Sequence, residues 1–291
     1  MTFLAVLLPL AAAIGLAVVV TASHRRLPPI VATRAIVVAI FFLAFAAVPT
    51  LWIVSLGYVA HLPVFGGRLD WCADALGVHD QIPAWIGVSA LLLTVLGLVR
   101  TFAVIRSYWQ LRHDDSGTVE IADHAQPFAF TLPGRGGHVV LSSSLIAMLD
   151  EAEQEVVLAH ENAHARERHD RYLLIAQVSA AVVPPLRVLA GRLRFSLERC
   201  ADEFAVAHCG DRGFVARTLG KVALRTGAPA GAMSFSGLGV PARVAALLAP
   251  PATALRSSVH AALWTAVTLT GALALFQIHH IAVLIAALCE G

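Results

Sequence analysis

The sequence predicts a mainly α-helical integral membrane protein: four transmembrane helices, with a smaller α+β domain inserted between the third and the fourth. Two observations predict it. Of the 291 residues, 58% are hydrophobic and only 14% are charged. A soluble domain carries about 25% charged residues, so a bilayer must solvate part of this apolar surface. The second observation is how unevenly the polar residues are spread, because ordinary soluble character is confined to His113–Pro250.

The expected spans are residues 2–22, 35–60, 82–105 and, less sharply bounded, 259–288. Each is long enough to cross the hydrocarbon layer. The first lacks the basic start and small-residue cleavage site of a secretory signal. Pro49 is expected to kink or end the second, and Arg100 in the third can snorkel to an interface. This divides the chain into three spans in 1–111, the inserted domain in 112–256, and the last span with a short C-terminus in 257–291.

Loop charges orient the spans. Arg25, Arg26 and Arg34 lie between the first two, Arg100, Arg106 and Arg112 follow the third, and Arg256 precedes the fourth. The 61–81 loop has Arg68 alone against Asp70, Asp74 and Asp80. Basic loops stay cytoplasmic, so the inserted domain is expected inside and both termini outside, with Trp71, Trp85 and Trp109 as interface anchors. A net charge of +2 gives no reason to expect direct nucleic-acid binding. Cys72, Cys200, Cys209 and Cys289 show no CxxC spacing, which argues against a disulfide framework or a cysteine–zinc site.

Within the inserted domain, Thr118–Ile121 alternates as a short strand, Phe128–Phe130 reads as a second, and His138–Ser142 follows a glycine-rich turn as a third. Gly137, His138, Val139, Val140 and Leu141 are candidates to pair with an extended peptide by strand addition, or else form an ordinary core strand. Asp150 with Glu153 makes a capping box, and the helix it opens should run to about Arg168. Residues 172–190 are apolar but broken by Pro184, Pro185 and Arg187. They form either a buried or surface helix, or a re-entrant hairpin.

That capped helix carries His160-Glu161-Asn162-Ala163-His164. Histidines four apart share a helix face and can hold one Zn²⁺, with Glu161 beside them as general base toward a water. A catalytic zinc takes three protein ligands and keeps one position open. Glu198 supplies a third ligand, or else is a solvated helix charge paired with Arg194 or Arg199. Asp202, one turn on, either hydrogen-bonds a ligand imidazole and fixes its tautomer or belongs to a salt-bridged surface. His208, Arg212, Arg217 and Arg243 are candidates to stabilise an oxyanion, though each fits a structural role better.

His160-Glu-x-x-His164, Arg168-His169-Asp170, Pro184-Pro185-Leu186 and Glu198-x-x-Ala201-Asp202-Glu203 together resemble the BlaR/MecR-type membrane metallopeptidases. The last motif is also similar to that of the HtpX-type membrane proteases. The resemblance implies a gluzincin fold, with His160, His164 and Glu198 as zinc ligands and Glu161 as base. It implies a cytoplasmic endopeptidase domain acting on a cytoplasmic protein, in the sensor family a transcriptional repressor, with homo-oligomerisation open. The sensors carry a penicillin-binding domain after the last span. This sequence stops at Gly291 and has no Ser-x-x-Lys motif, so direct β-lactam sensing is not expected. Two other readings remain: a quality-control protease of HtpX type, and a non-proteolytic membrane receptor or scaffold with structural zinc.

Overall fold

A computed structural model describes residues 3–65, 67, 82–112, 118–134, 136–225, 239–250, 261, 264–272 and 275. Helix α1 (Phe3–Ser23) leads through a short loop to α2 (Pro29–Ala60), and α3 spans Ala84–Leu111. Both α2 and α3 are long and apolar enough to cross a membrane. Pro49 neither ends nor interrupts α2, whose 32 residues run through it. The helix also starts six residues earlier than the apolar run suggested, because Pro29 at its first position is preset for helical φ. Likewise α3 extends past the expected end at Ile105 to Leu111. Its outer face stays apolar, with Leu92, Val99 and Phe102 exposed, Phe102 to 67%. A row of exposed large apolar side chains is suited to lipid rather than water. The expected fourth span and most of the 61–81 loop lie outside the described residues, although 264–272 is helical.

The helices meet at small residues. A Cβ on Gly87 of α3 would sit 2.1 Å from the Tyr58 ring of α2. The ring occupies the space that any larger residue would need.

Three strands follow: β1 (Val119–Ala122), β2 (Ala129–Leu132) and β3 (His138–Ser142). Their order is β1-β3-β2, with β3 parallel to β1 and antiparallel to β2. A short α4 (Ser143–Met148) then leads to α5 (Glu151–Arg166). The Asp150 carboxylate accepts from Glu153 N at 2.8 Å, and Asp150 N donates to Glu153 Oε2 at 3.0 Å. This reciprocal cap satisfies two orphan amides and fixes where α5 begins.

Residues 172–190, open in the sequence between a surface helix and a re-entrant hairpin, fold as parts of two helices. Helix α6 (His169–Val182) stops at a 3₁₀ turn, Pro184–Leu186, and α7 (Arg187–Cys209) returns from it. Both helices pack on α2, and α6 also packs on α3. Their Ala176, Ala180, Leu189, Leu193 and Leu197 share one core with Leu16 and Val20 of α1 and Ile36 and Ile40 of α2. The hairpin is therefore held by the apolar helices. Helices α8 (Arg212–Arg225) and α9 (Val240–Leu248) close the domain against α7.

Candidate metal centre

Helices α5 and α7 pack directly, and the faces they bury are rich in alanine: Ala159 and Ala163 on one, Ala201 and Ala205 on the other. Small side chains let two helix axes approach closely. The longer side chains on the same faces then reach across. His160 Nε2 and His164 Nε2 lie 3.3 Å apart. Glu198 Oε2 is 3.5 Å from the first and Glu198 Oε1 3.8 Å from the second. These three residues offer ligand atoms that all lie within 4.8 Å of one another. The lone pairs of two imidazoles and one carboxylate, gathered at this spacing and buried, form a set that a divalent cation can bridge.

The surrounding contacts fit a cation as well. Asp202 Oδ1 lies 3.1 Å from His160 Nδ1, which leaves Nε2 of that ring for a metal. Burial disfavours a charge on His160, but Asp202 and Glu198 outweigh it and raise its pKa to about 9. The two carboxylates thus hold a positive charge at the spot where an ion would sit. Burial alone would raise Glu198, yet Arg243 and His160 pull it down to about 2, and the same forces hold Asp202 low.

Arg243 supplies the fixed positive charge. It is 1% exposed. Its Nε and Nη2 donate to the two oxygens of Asp202 at 2.8 and 2.6 Å. Its Nη1 lies 2.9 Å from Glu198 Oε2, an ion pair without hydrogen-bond alignment. Every nitrogen of the guanidinium is therefore turned toward the two carboxylates. These contacts give Arg243 the structural role that the sequence favoured, and the other three candidates are paired likewise. His208 pairs with Glu155, Arg212 with Glu203, and Arg217 with Asp211, and none of them lines the groove beside the cluster. Glu198 pairs with Arg243 instead of its helix neighbours Arg194 or Arg199. The latter reaches the carbonyls of Arg25 and Leu27.

Glu161 is fully buried. Thr131 of β2 places its hydroxyl 2.8 Å from Glu161 Oε2. Glu161 Oε1 has no partner among the described residues. An unmatched buried carboxylate oxygen costs about 1–3 kcal/mol or more, so its position beside the ligand set calls for a water or substrate group there. Burial raises the Glu161 pKa to about 7, against the pull of His160.

A groove of about 560 Å³ opens on this cluster. It is lined by His164 and Glu198, by residues 130–134 of the β2 segment and Gly137, and by residues of α3 and α6. The interior place of β3 favours the core-strand alternative for His138–Leu141, whereas Gly137, just before that strand, lines the groove. β3 has β1 on one side and β2 on the other, so it has no free ladder edge. His138 is bonded to Thr118 and Glu120, and Val139 and Leu141 are core. Gly137 lines the groove and also acts as a spacer. At φ +72 a Cβ there would come within 2.3 Å of the Ala165 Cβ, next to His164.

His169, which the sequence offers only within the Arg168-His169-Asp170 motif and as a structural residue, has its Nδ1 2.8 Å from His164 Nδ1. Burial lowers both rings, His164 to about 3 and His169 to about 4, so both are neutral. Thr131 and Tyr108 are further site neighbours that no local motif announced.

Residues 103–196 match the model of peptidase family M48. The match supports a metallopeptidase of that family. It includes His160, Glu161 and His164 and ends two residues before Glu198, so Glu198, Asp202 and Arg243 rest on geometry alone. No curated protein and no solved structure matched the chain.

Proposed function

We propose that this chain is a membrane-embedded, zinc-dependent endopeptidase that hydrolyses peptide bonds of a cytoplasmic protein. The observation that carries the reading is the convergence of His160, His164 and Glu198 beside the unpartnered Oε1 of Glu161. Zinc, when bound, supplies Lewis acidity toward the scissile carbonyl and makes a water a nucleophile near neutral pH. The residues do the rest. His160 and His164 present Nε2 and Glu198 a carboxylate, while Asp202 and Arg243 hold two of these in place. Glu161 takes a proton from the attacking water and returns it to the leaving amine, a task its pKa near 7 suits. Thr131 keeps the other carboxylate oxygen engaged meanwhile. The outer edge of β2 is the place for an extended substrate to add as a strand, with apolar side chains against α3 and α6.

A transcriptional repressor as substrate is an analogy with the β-lactam sensors. One observation favours the quality-control reading beside it: a span-length helix, α3, walls the groove through Ala103, Val104, Ser107, Tyr108 and Leu111, so a peptide leaving the bilayer meets the site directly. A structural-zinc scaffold fits less well, because the cluster among the described residues holds three ligands and closed structural sites use four.

Glu161→Gln tests the reaction. It should reduce turnover by roughly 10²–10⁴-fold while elemental analysis still finds one metal per chain. Unchanged turnover of the purified variant removes Glu161 as base. Glu198→Ala should strip the metal, and full occupancy would move the third ligand elsewhere.

A further inference from the structure

We propose that His169 is a positioning residue of this metal centre: its Nδ1 accepts the Nδ1 proton of His164 and thereby turns an unprotonated His164 Nε2 toward the ion. The inference rests on the metallopeptidase reading and deepens it.

A neutral imidazole carries one proton. If Nε2 of His164 is the ligand atom, as its 3.3 Å approach to His160 Nε2 indicates, the proton must sit on Nδ1. A buried N–H needs an acceptor. His169 Nδ1, at 2.8 Å, is that acceptor, which obliges His169 to carry its own proton on Nε2. His160 is held by the carboxylate of Asp202, whereas His164 is held by a neutral ring. The difference suits the electrostatics. Glu161, Glu198 and Asp202 are already buried here, and a fourth carboxylate would be repelled by three others.

Two further features fix His169 in place. Arg168, immediately before it, is the one non-glycine residue with positive φ among the described residues, at φ 54. A left-handed conformation costs a residue with a Cβ roughly 1–2 kcal/mol, and here it turns the chain so that the first residue of α6 faces back onto α5. Asp170, immediately after, accepts from Tyr108 of α3 at 2.7 Å. The elbow and the clamp bracket His169 from both sides.

The test uses the full-length chain in detergent, with zinc affinity from chelator competition and the absorption spectrum of the cobalt form as readouts. His169→Leu removes the acceptor and keeps the bulk. His169→Asn keeps an acceptor, since Oδ1 of Asn takes the place of Nδ1. His169→Gln carries its oxygen one bond too far out. Leu and Gln should weaken zinc binding roughly 10–100-fold and shift the cobalt bands, while Asn stays within about threefold of wild type with an unshifted spectrum. Wild-type affinity and spectrum in Leu or Gln would overturn the proposal, as would a loss in Asn equal to that in Gln. If Leu does not fold, the Asn–Gln comparison decides alone. A wild-type chain that binds no zinc would instead refute the metal centre itself, so the two failures are separable.

Discussion

Glu198 and Asp202 lie four residues apart on one buried face of α7, and two carboxylates in such a place need compensation. Arg243 provides it from α9, 41 residues beyond Asp202. Removing one partner of a buried ion network leaves uncompensated charge, typically at about 3–5 kcal/mol. Arg243→Met should therefore lower the melting temperature of the metal-free protein sharply, and saturating zinc should recover more stability in the variant than in wild type, because the cation takes over part of the guanidinium's work. A metal-free melt that does not move would contradict this. Protons give a second prediction. His160 holds its proton up to about pH 9 without metal, and the metal must displace it. Measured zinc affinity should rise about tenfold per pH unit up to that point. The dependence should steepen below pH 7, where Glu161 also keeps a proton. A flat profile between pH 7 and 8.5 in a chelator assay would show that His160 is not protonated in the free state. At this scale helical spacing puts His160 with His164, and Glu198 with Asp202, on shared faces, while the partner of Asp202 stayed open in the sequence. The sequence offered Arg243 only as one of four oxyanion candidates and gave no sign that this side chain would meet Asp202 and Glu198. An arginine in a short helix far along the chain carries no local sign of which carboxylate it will meet, and the same is true of Thr131 and Tyr108.

Elements were readable where their chemistry is local. The Asp150–Glu153 box set the start of α5 to the residue, because capping is settled within four positions. Strand existence was equally local. Strand order was not: alternation tells which residues face one way, but gives nothing about which strand lies between two others. That is why the sequence left 137–141 open between a substrate edge and a core strand, while the sheet order puts His138–Leu141 in its interior strand. The glycine at its start has a separate, testable task. Gly137→Ala would force a Cβ into the Ala165 Cβ at 2.3 Å and keep an alanine at φ +72. The cost should be at least about 2 kcal/mol, and part of it should be relieved by Ala165→Gly in the double variant. Additive losses in thermal melts of the single and double variants would show that the clash is not what Gly137 avoids.

The molecule as a whole places the His160, His164 and Glu198 cluster where α7 and α5 meet, and α7 in turn belongs to the same apolar core as α1 and α2. The cluster is thus packed onto the apolar helices. Tyr108 of α3 on Asp170 of α6 and Thr33 of α2 facing Cys200 of α7 at 3.6 Å tie them further. The loop charges give the side of the membrane on which the cluster is expected. Arg25, Arg26 and Arg34 cluster around the α1–α2 turn, and Arg106 and Arg112 flank the other end of the α2–α3 pair's path, beyond Arg100. The intervening 61–81 loop has one arginine and three aspartates. Translocating an arginine-rich short loop is disfavoured, so both arginine-bearing ends should remain in the cytoplasm together. The α1–α2 turn also meets the peptidase helix directly, through Arg199 on the carbonyls of Arg25 and Leu27, which requires those ends to share a side whatever that side is. A reporter fused after Leu111 should therefore score cytoplasmic, and one inserted in the 61–81 loop should score external. Reversal of both signals would keep the fold and overturn the orientation. The same signal at both positions would mean that α3 does not cross the membrane, and the groove wall it provides would then face water instead of lipid.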